Sequence, residues 1–149
     1  MFRIAVPGVL LVAVVLQLKT HPDPLLCGAA SMPRDREATT HWSCWNLLPY
    51  YGAKPIRSRV VVDGNLVTAA GVTAGLDAAL VVASLLRGDA IAQQIQLSIE
   101  YAPNPVFHSG TPDTAPAEVL RAFHEGYSAI AASREAEARR IAATLGVAV

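Results

Sequence analysis

The residues of this chain that are best suited to chemistry are its cysteines and histidines, which number 2 and 4. A thiolate is a strong nucleophile and a histidine changes charge near neutral pH, so a cysteine held beside a histidine favours nucleophilic catalysis. His41 lies at the carboxyl end of a predicted short strand, residues 38–40, where a sheet presents functional side chains. Cys27 and Cys44 are too few for a disulfide framework, and both are expected to be buried free thiols.

The other histidines, His21, His108 and His124, do not form a metal site in the sequence. No pair of them has ligand spacing and no carboxylate cluster joins them, so they are expected on the surface or in loops. The glycines between residues 71 and 75 lack the lysine and the spacing of a phosphate loop. The sequence therefore predicts neither a cofactor nor a metal.

Charge and composition favour a small neutral substrate or a protein partner. The 12 basic and 12 acidic residues give a formal net charge of zero, so no electrostatic footprint for nucleic acid or an anionic membrane is present. With 52% hydrophobic and 6% aromatic residues, the composition suits a buried sheet covered by helices. A length of 149 residues predicts one domain.

Turn signals and apolar periodicity predict the elements that would position these residues. Gly64 and Asn65 tolerate positive φ and predict a hairpin, while Thr73 is a candidate helix cap and Gly88 a left-handed helix stop. The helix after Thr73 is expected to be mostly buried, and a long final helix is expected to keep its charged residues, Arg134 among them, in water. The predicted elements are a short helix from residue 42 to about 51, strands at 59–62 and 66–69, helices at 25–32, at 74–87 and from 89 to near 101, and the long helix from 116 to about 145.

The first 24 residues bear on the location of the protein. Residues 4–16 are apolar apart from Pro7-Gly8, which leaves a secretory leader or a membrane anchor open. The unbroken run over residues 9–16 is about half of the ~18 residues that a bilayer crossing needs, so a buried strand or an extension is favoured. We therefore expect a cytoplasmic protein, with a secreted or membrane-anchored one as the alternative.

Several motifs together resemble the second half of the DJ-1/PfpI superfamily, which has a class I glutamine amidotransferase-like fold. They are Ala38-Thr39-Thr40-His41-Trp42, the hairpin followed by Gly71-Val72-Thr73-Ala74-Gly75, Tyr101-Ala102-Pro103 and Gly110-Thr111-Pro112. The resemblance is nearest to isonitrile hydratase-like proteins, which add water to an isonitrile to give an N-substituted formamide. It implies an α/β, flavodoxin-like layered domain over residues 25–149 that lacks its N-terminal half, with residues 1–24 outside the match.

The resemblance also implies what the catalytic centre needs. Such proteins carry a nucleophilic cysteine at a strand-to-helix elbow and an acidic side chain on the first strand. Aligned without gaps, His21 occupies the position of that nucleophile, and Cys27 falls 6 residues later at an apolar helix position. The chain is therefore expected to be a truncated and inactive copy.

Two residues are assigned to the pocket by the resemblance. His41 corresponds to the Thr-Thr-His histidine, which in several branches of the superfamily lies beside the cysteine and orients or polarises it. A histidine held by the backbone at a strand end is the alternative. Thr73 corresponds to a loop that lines the pocket of the family, and a helix cap without a catalytic role is the reading we favour for it.

Besides a hydratase-like protein and a small secreted or anchored protein, the sequence allows a third function. It is a ligand-sensing domain related to AraC-type transcriptional regulators, although the Tyr-Ala-Pro and Gly-Thr-Pro segments favour the hydratase. The expected partners are a small isonitrile-like substrate and a second copy of the chain, because half of a doubly wound sheet leaves an exposed edge. Neither nucleic acid nor a membrane is expected as a partner.

Overall fold

A computed structural model of the protein describes residues 11–13 and 34–148. Within this part of the chain the strands are β1 (Leu11–Ala13), β2 (Glu37–Ala38), β3 (Lys54–Pro55), β4 (Val60–Asp63) and β5 (Leu66–Ala69). A 3₁₀ helix spans Trp42–Tyr51, and the α-helices are α1 (Ala74–Arg87), α2 (Asp89–Ser98) and α3 (Ala117–Leu145). His21, Cys27, the predicted helix at 25–32 and most of the apolar N-terminal segment lie outside the described residues.

The predicted hairpin is confirmed. Strands β4 and β5 pair antiparallel with Val60 opposite Ala69, and Gly64 in their turn has a φ of 56°. Strand β1 pairs parallel to the other side of β5, which gives the order β1-β5-β4. Every residue of β5 is buried, as expected for the central strand of a covered sheet.

A second, two-stranded sheet pairs β2 parallel to β3 and is tied to the hairpin by Asp63. The Asp63 Oδ2 atom accepts hydrogen bonds from Arg36 Nε at 2.6 Å and from the Glu37 backbone N–H at 2.9 Å. The Arg36 hydrogen bond, then that of Glu37, lowers the pKa of Asp63 below its ordinary value. The carboxylate form of Asp63 therefore holds the turn of one sheet against the start of the other.

The strand predicted at residues 38–40 is shorter and ends earlier than expected. Strand β2 ends at Ala38 because the backbone N–H of Thr39 donates to the Thr68 side-chain hydroxyl, at 3.0 Å, instead of joining a strand ladder. The Thr39 hydroxyl in turn donates to the Ser58 carbonyl at 2.9 Å. Thr39 thus joins the chain just before His41 to β5 and to the segment that leads into β4.

Helix α1 packs on β5 through small residues, and the expectation that it is mostly buried is wrong. Ala74 and Ala78 are buried against the strand, whereas Leu76 is 46% exposed and Leu85 is 56% exposed. Alanines let the helix backbone lie close to the sheet, so a narrow alanine stripe, rather than the leucines, forms the contact. Helix α2 packs on α1 rather than on the sheet.

The helix ends correct two capping predictions. Thr73 has a helical φ of −71° and ψ of −27°, and its side chain makes no cap hydrogen bond, so it does not cap α1. Gly88, the predicted left-handed stop of α1, has a positive φ of 80° as expected, but its extended ψ of 162° lies outside the left-handed helical region. Helix α2 ends at Ser98, before the predicted end near Tyr101.

The long helix α3 begins at Ala117, one residue after the predicted start at Pro116, and packs along the 3₁₀ helix. Their shared core contains Cys44, Leu47, Tyr51 and Ala138. None of the helices in the described part of the chain is both long enough and apolar enough to cross a membrane.

Candidate functional site

A pocket of about 800 Å³ lies among the segments that follow β2, precede β4 and follow β5. This volume suits a small organic ligand. His41 and Thr73, the residues that the sequence assigned to a pocket, both line it. The lining consists of residues 39–42, 57–59, 70–73 and 110–113 together with Trp45 and His124.

The hydrogen bonds of His41 fix its tautomer. His41 precedes the first turn of the 3₁₀ helix, and its Nδ1 accepts a hydrogen bond from the Ser43 backbone N–H at 3.2 Å. The Ser43 hydroxyl lies 2.8 Å from the same nitrogen. A backbone N–H can only donate, so Nδ1 carries no proton and the neutral ring is protonated at Nε2.

The opposite edge of the His41 ring faces the chain between β5 and α1. A Cβ atom placed on Gly71 would lie 3.4 Å from His41 Cδ2, which is bonded to Nε2. Gly71 also lines the pocket, so an alanine methyl group here would only touch the ring, whereas a branched side chain would crowd both the ring and the pocket. Gly71 therefore leaves the Cδ2 side of the His41 ring uncrowded.

Burial lowers the pKa of His41 below the ordinary value of 6.5, and the positive charge of Arg134 lowers it further. At neutral pH the ring is therefore uncharged. Arg134 is not in water, as its position on α3 had suggested: its Nη1 lies 3.1 Å from Cys44 Sγ, and its guanidinium lies 5.2 Å from the Tyr127 ring centroid. The packing of α3 along the 3₁₀ helix half-buries this side chain.

Cys44 is a core residue, as expected. It is 2% exposed, does not line the pocket and packs with Leu47 and Tyr51. Its sulfur accepts from Arg134 and lies 3.7 Å from the Ser43 hydroxyl. A thiol in this position has no access to a ligand in the pocket.

Thr73 belongs to a polar network at the rim of the pocket. Arg59 donates to the Thr73 hydroxyl at 3.4 Å and to Asp77 Oδ2 at 2.7 Å. The Tyr101 hydroxyl donates to the other oxygen of Asp77 at 2.8 Å, and this hydrogen bond raises the pKa of Tyr101. The network joins the residue before β4 to α1 and to the chain after α2, and it gives the Thr73 hydroxyl a hydrogen-bond donor.

Aromatic rings form one wall of the pocket. Trp42 lies with ring centroids 4.8 Å from Phe123 and 5.7 Å from His124, so α3 and the 3₁₀ helix share this wall. His124 is exposed, as the sequence predicted, and its place on α3 also brings it to the lining of the pocket. Trp45 lies beneath the Arg57 guanidinium, whose carbon is 4.9 Å from the ring centroid.

Sequence reasoning assigned no site role to Arg57, Arg59 or Asp113, all of which line the pocket. Arg57 precedes the predicted strand at 59–62 and Arg59 begins it, and no local pattern distinguishes either residue. Asp113 directly follows the Gly110-Thr111-Pro112 motif of the family resemblance. This adjacency is the one feature of the sequence that could have identified it as a lining residue. Among the described residues no group of three or more histidines, cysteines or acids is placed to hold a metal ion.

Comparison with solved structures defines the class of protein. A THiJ/PfpI family protein from Pseudomonas syringae superposes with a TM-score of 0.72 and is 41% identical, over 80% of this chain and 48% of that chain. This likeness establishes a flavodoxin-like α/β fold. No family model matches the chain.

The sequence relative narrows the assignment. The isonitrile hydratase of Pseudomonas putida is 53% identical over 96 residues, which is 64% of this chain and 42% of the hydratase. The chain is similar to the DJ-1/PfpI superfamily in fold and is isonitrile hydratase-like in sequence. It spans less than half the length of either relative, and these relatives do not favour the AraC-type alternative.

Proposed function

We propose that the pocket beside His41 binds an isonitrile and belongs to an isonitrile hydratase-like site, which in this sequence binds its ligand without hydrating it. The observation that carries the proposal is a neutral His41 with its Nε2–H edge beside a pocket of about 800 Å³. The 53% identity to an isonitrile hydratase over 96 residues supports the class of ligand.

The chemistry of an isonitrile suits this arrangement. Its terminal carbon has a lone pair that accepts a hydrogen bond, and hydration requires that carbon to gain a proton and an oxygen. A neutral Nε2–H donates to the carbon and polarises the carbon–nitrogen bond, which makes the carbon a better target for a nucleophile. Trp42 and Trp45 supply apolar surface for the organic substituent.

Hydration of a bound isonitrile needs catalytic groups besides His41 and the two tryptophans. The family pattern calls for a thiolate and an acid, and groups that act as a unit lose most of their effect when one is removed. Cys44 is buried away from the pocket, and the resemblance places His21 in the position of the nucleophile. We therefore infer that the chain as given has no hydratase activity.

The test is a calorimetric titration of the purified chain with an uncharged alkyl isonitrile, followed by chromatography for the N-alkylformamide. We expect saturable binding without formamide, and about fivefold weaker binding by His41→Ala, the effect of one lost hydrogen bond. His108→Ala is the matched control because His108 does not line the pocket. Absence of binding would overturn the proposal, and formamide production that Cys27→Ala abolishes would make Cys27 the nucleophile.

A further inference from the structure

One guanidinium in the wall of the pocket has no counter-ion among the residues that the structure describes. Of the arginines in the described part of the chain, Arg57 and Arg87 make no hydrogen bond or ion pair with any described residue. Arg87 ends α1 away from the pocket, whereas Arg57 lines it. A cationic group that has no acidic partner in its own protein is available to an anionic ligand.

The position of Arg57 is held by an aromatic ring. Its guanidinium carbon lies 4.9 Å from the Trp45 ring centroid, so the cation rests on the face of the indole. The guanidinium N–H groups make no hydrogen bond to any described residue, so they are available to a ligand. Two parallel N–H groups match the two oxygens of a carboxylate.

The neighbouring charges do not substitute for a ligand carboxylate. Arg59 is already paired with Asp77, at 2.5 Å between Nη2 and Oδ2. Asp113 lines the pocket but does not lie within ion-pair distance of Arg57 in the structure as described. Within the described part of the chain, Arg57 is therefore the lining cation without an acidic partner.

We propose that Arg57 is a carboxylate-recognition residue, and that the pocket takes isonitriles that carry a carboxylate on their organic substituent. This inference rests on the proposed function and narrows its substrate class. The isonitrile carbon would lie at His41, the substituent along Trp45, and the carboxylate at the edge of the Arg57 guanidinium.

The test compares 4-isocyanobenzoate with its uncharged methyl ester in calorimetric titrations of the full chain. Arg57 is exposed, so we expect the acid to bind up to about fivefold more tightly than the ester, as for an exposed ion pair. Arg57→Gln should remove this preference, and raised salt should weaken it. The charge-matched control is Arg87→Gln, which should leave it unchanged.

A second variant, Asp113→Asn, is expected to change the affinity for the acid in the opposite direction to Arg57→Gln. Asp113→Asn removes a negative charge from the lining, so it should strengthen binding of the acid and leave the ester unaffected. Equal binding of acid and ester that Arg57→Gln does not alter would overturn the carboxylate site and leave the proposed function standing. Benzoate, which lacks the isonitrile, separates the two claims: Arg57-dependent binding of benzoate with no binding of either isonitrile would overturn the isonitrile function and with it this substrate class.

Discussion

At the scale of single residues, His41 owes its chemistry to groups that its own motif does not contain. Ser43 fixes the proton on Nε2, Gly71 leaves the Cδ2 side of the ring uncrowded, and Arg134 on α3 disfavours a second proton. The Thr-Thr-His motif predicts the place of the histidine at the pocket, but the pKa of the ring is lowered first by its burial and then by Arg134, on a helix far along the chain. This is why the sequence located His41 and could not predict its charge.

The pKa of His41 should therefore respond to Arg134. In wild-type protein an NMR titration of the His41 ring should give a pKa below 6.5, and Arg134→Gln should raise it. Because burial is the larger cause of the shift, the pKa of the variant should still lie below 6.5. Arg121→Gln, on an exposed part of the same helix, is the control, and an unchanged pKa in Arg134→Gln would contradict this account.

The same shift predicts how stability depends on pH. The folded pKa of His41 is lower than the unfolded value, so protonation favours the unfolded chain. The contribution of His41 to the free energy of unfolding is complete above pH 6.5 and is lost as the pH falls through the folded pKa. Denaturant unfolding from pH 8 to 5 should show this loss in wild-type protein, and His41→Gln should lack it; parallel curves would argue against a depressed pKa.

At the scale of elements, the turn between β4 and β5 is fixed by local and long-range causes together. Gly64 has a φ of 56°, and a Cβ atom on it would come within 2.9 Å of Arg36 Nη2. The sequence predicted the hairpin and the positive φ from the residue types alone. It did not predict the second cause, because the approach of Arg36 depends on the contact between the two sheets.

The same substitution should have opposite effects at two glycines. Gly64→Ala should lower the free energy of unfolding by about 1–3 kcal/mol, because alanine is strained at this φ and its methyl group displaces Arg36. Gly126→Ala, in the interior of α3 with no atom within 4 Å of the added Cβ, should raise it by about 0.5–1 kcal/mol. Urea unfolding of the two variants measures both, and a neutral Gly64→Ala would show that the turn is not constrained.

Helix α1 illustrates what periodicity leaves undetermined. Its bounds follow from the sequence, since Ala74 and Arg87 are the predicted first and last residues. The pattern favoured the leucines as the buried face, but β5 accepts the small Ala74 and Ala78 instead. Which face of a helix is buried depends on how closely the helix axis approaches the sheet. The sequence of the helix alone does not determine that distance.

At the scale of the whole molecule, the superfamily and the α/β fold were predictable because several motifs occur in the right order. The pocket of about 800 Å³ could not be predicted, because its lining comes from separate segments that only the tertiary structure brings together. The structure also exposes large apolar side chains on α2 and in the chain that follows it. Leu97 is 82% exposed and Phe107 is 75% exposed.

These exposed residues predict self-association, as does the outer position of β4 in the described sheet. Sedimentation velocity should show oligomers whose share grows with protein concentration. Leu97→Ser combined with Phe107→Ser should reduce that share, whereas Ile130→Ser on α3 serves as the matched control. A monomer throughout a wide concentration range would count against this prediction.

The central claim is that an isonitrile binds beside His41, and amide chemical shifts test it most directly. The measurement is a series of ¹H–¹⁵N NMR spectra of the chain during titration with an uncharged alkyl isonitrile, repeated with Gly71→Val to fill the space at the His41 ring. We predict saturable shifts concentrated at residues 39–42 and 70–73 in wild-type protein, and their loss in Gly71→Val although that variant stays folded. Shifts that map elsewhere, or that persist unchanged in folded Gly71→Val, would contradict the account.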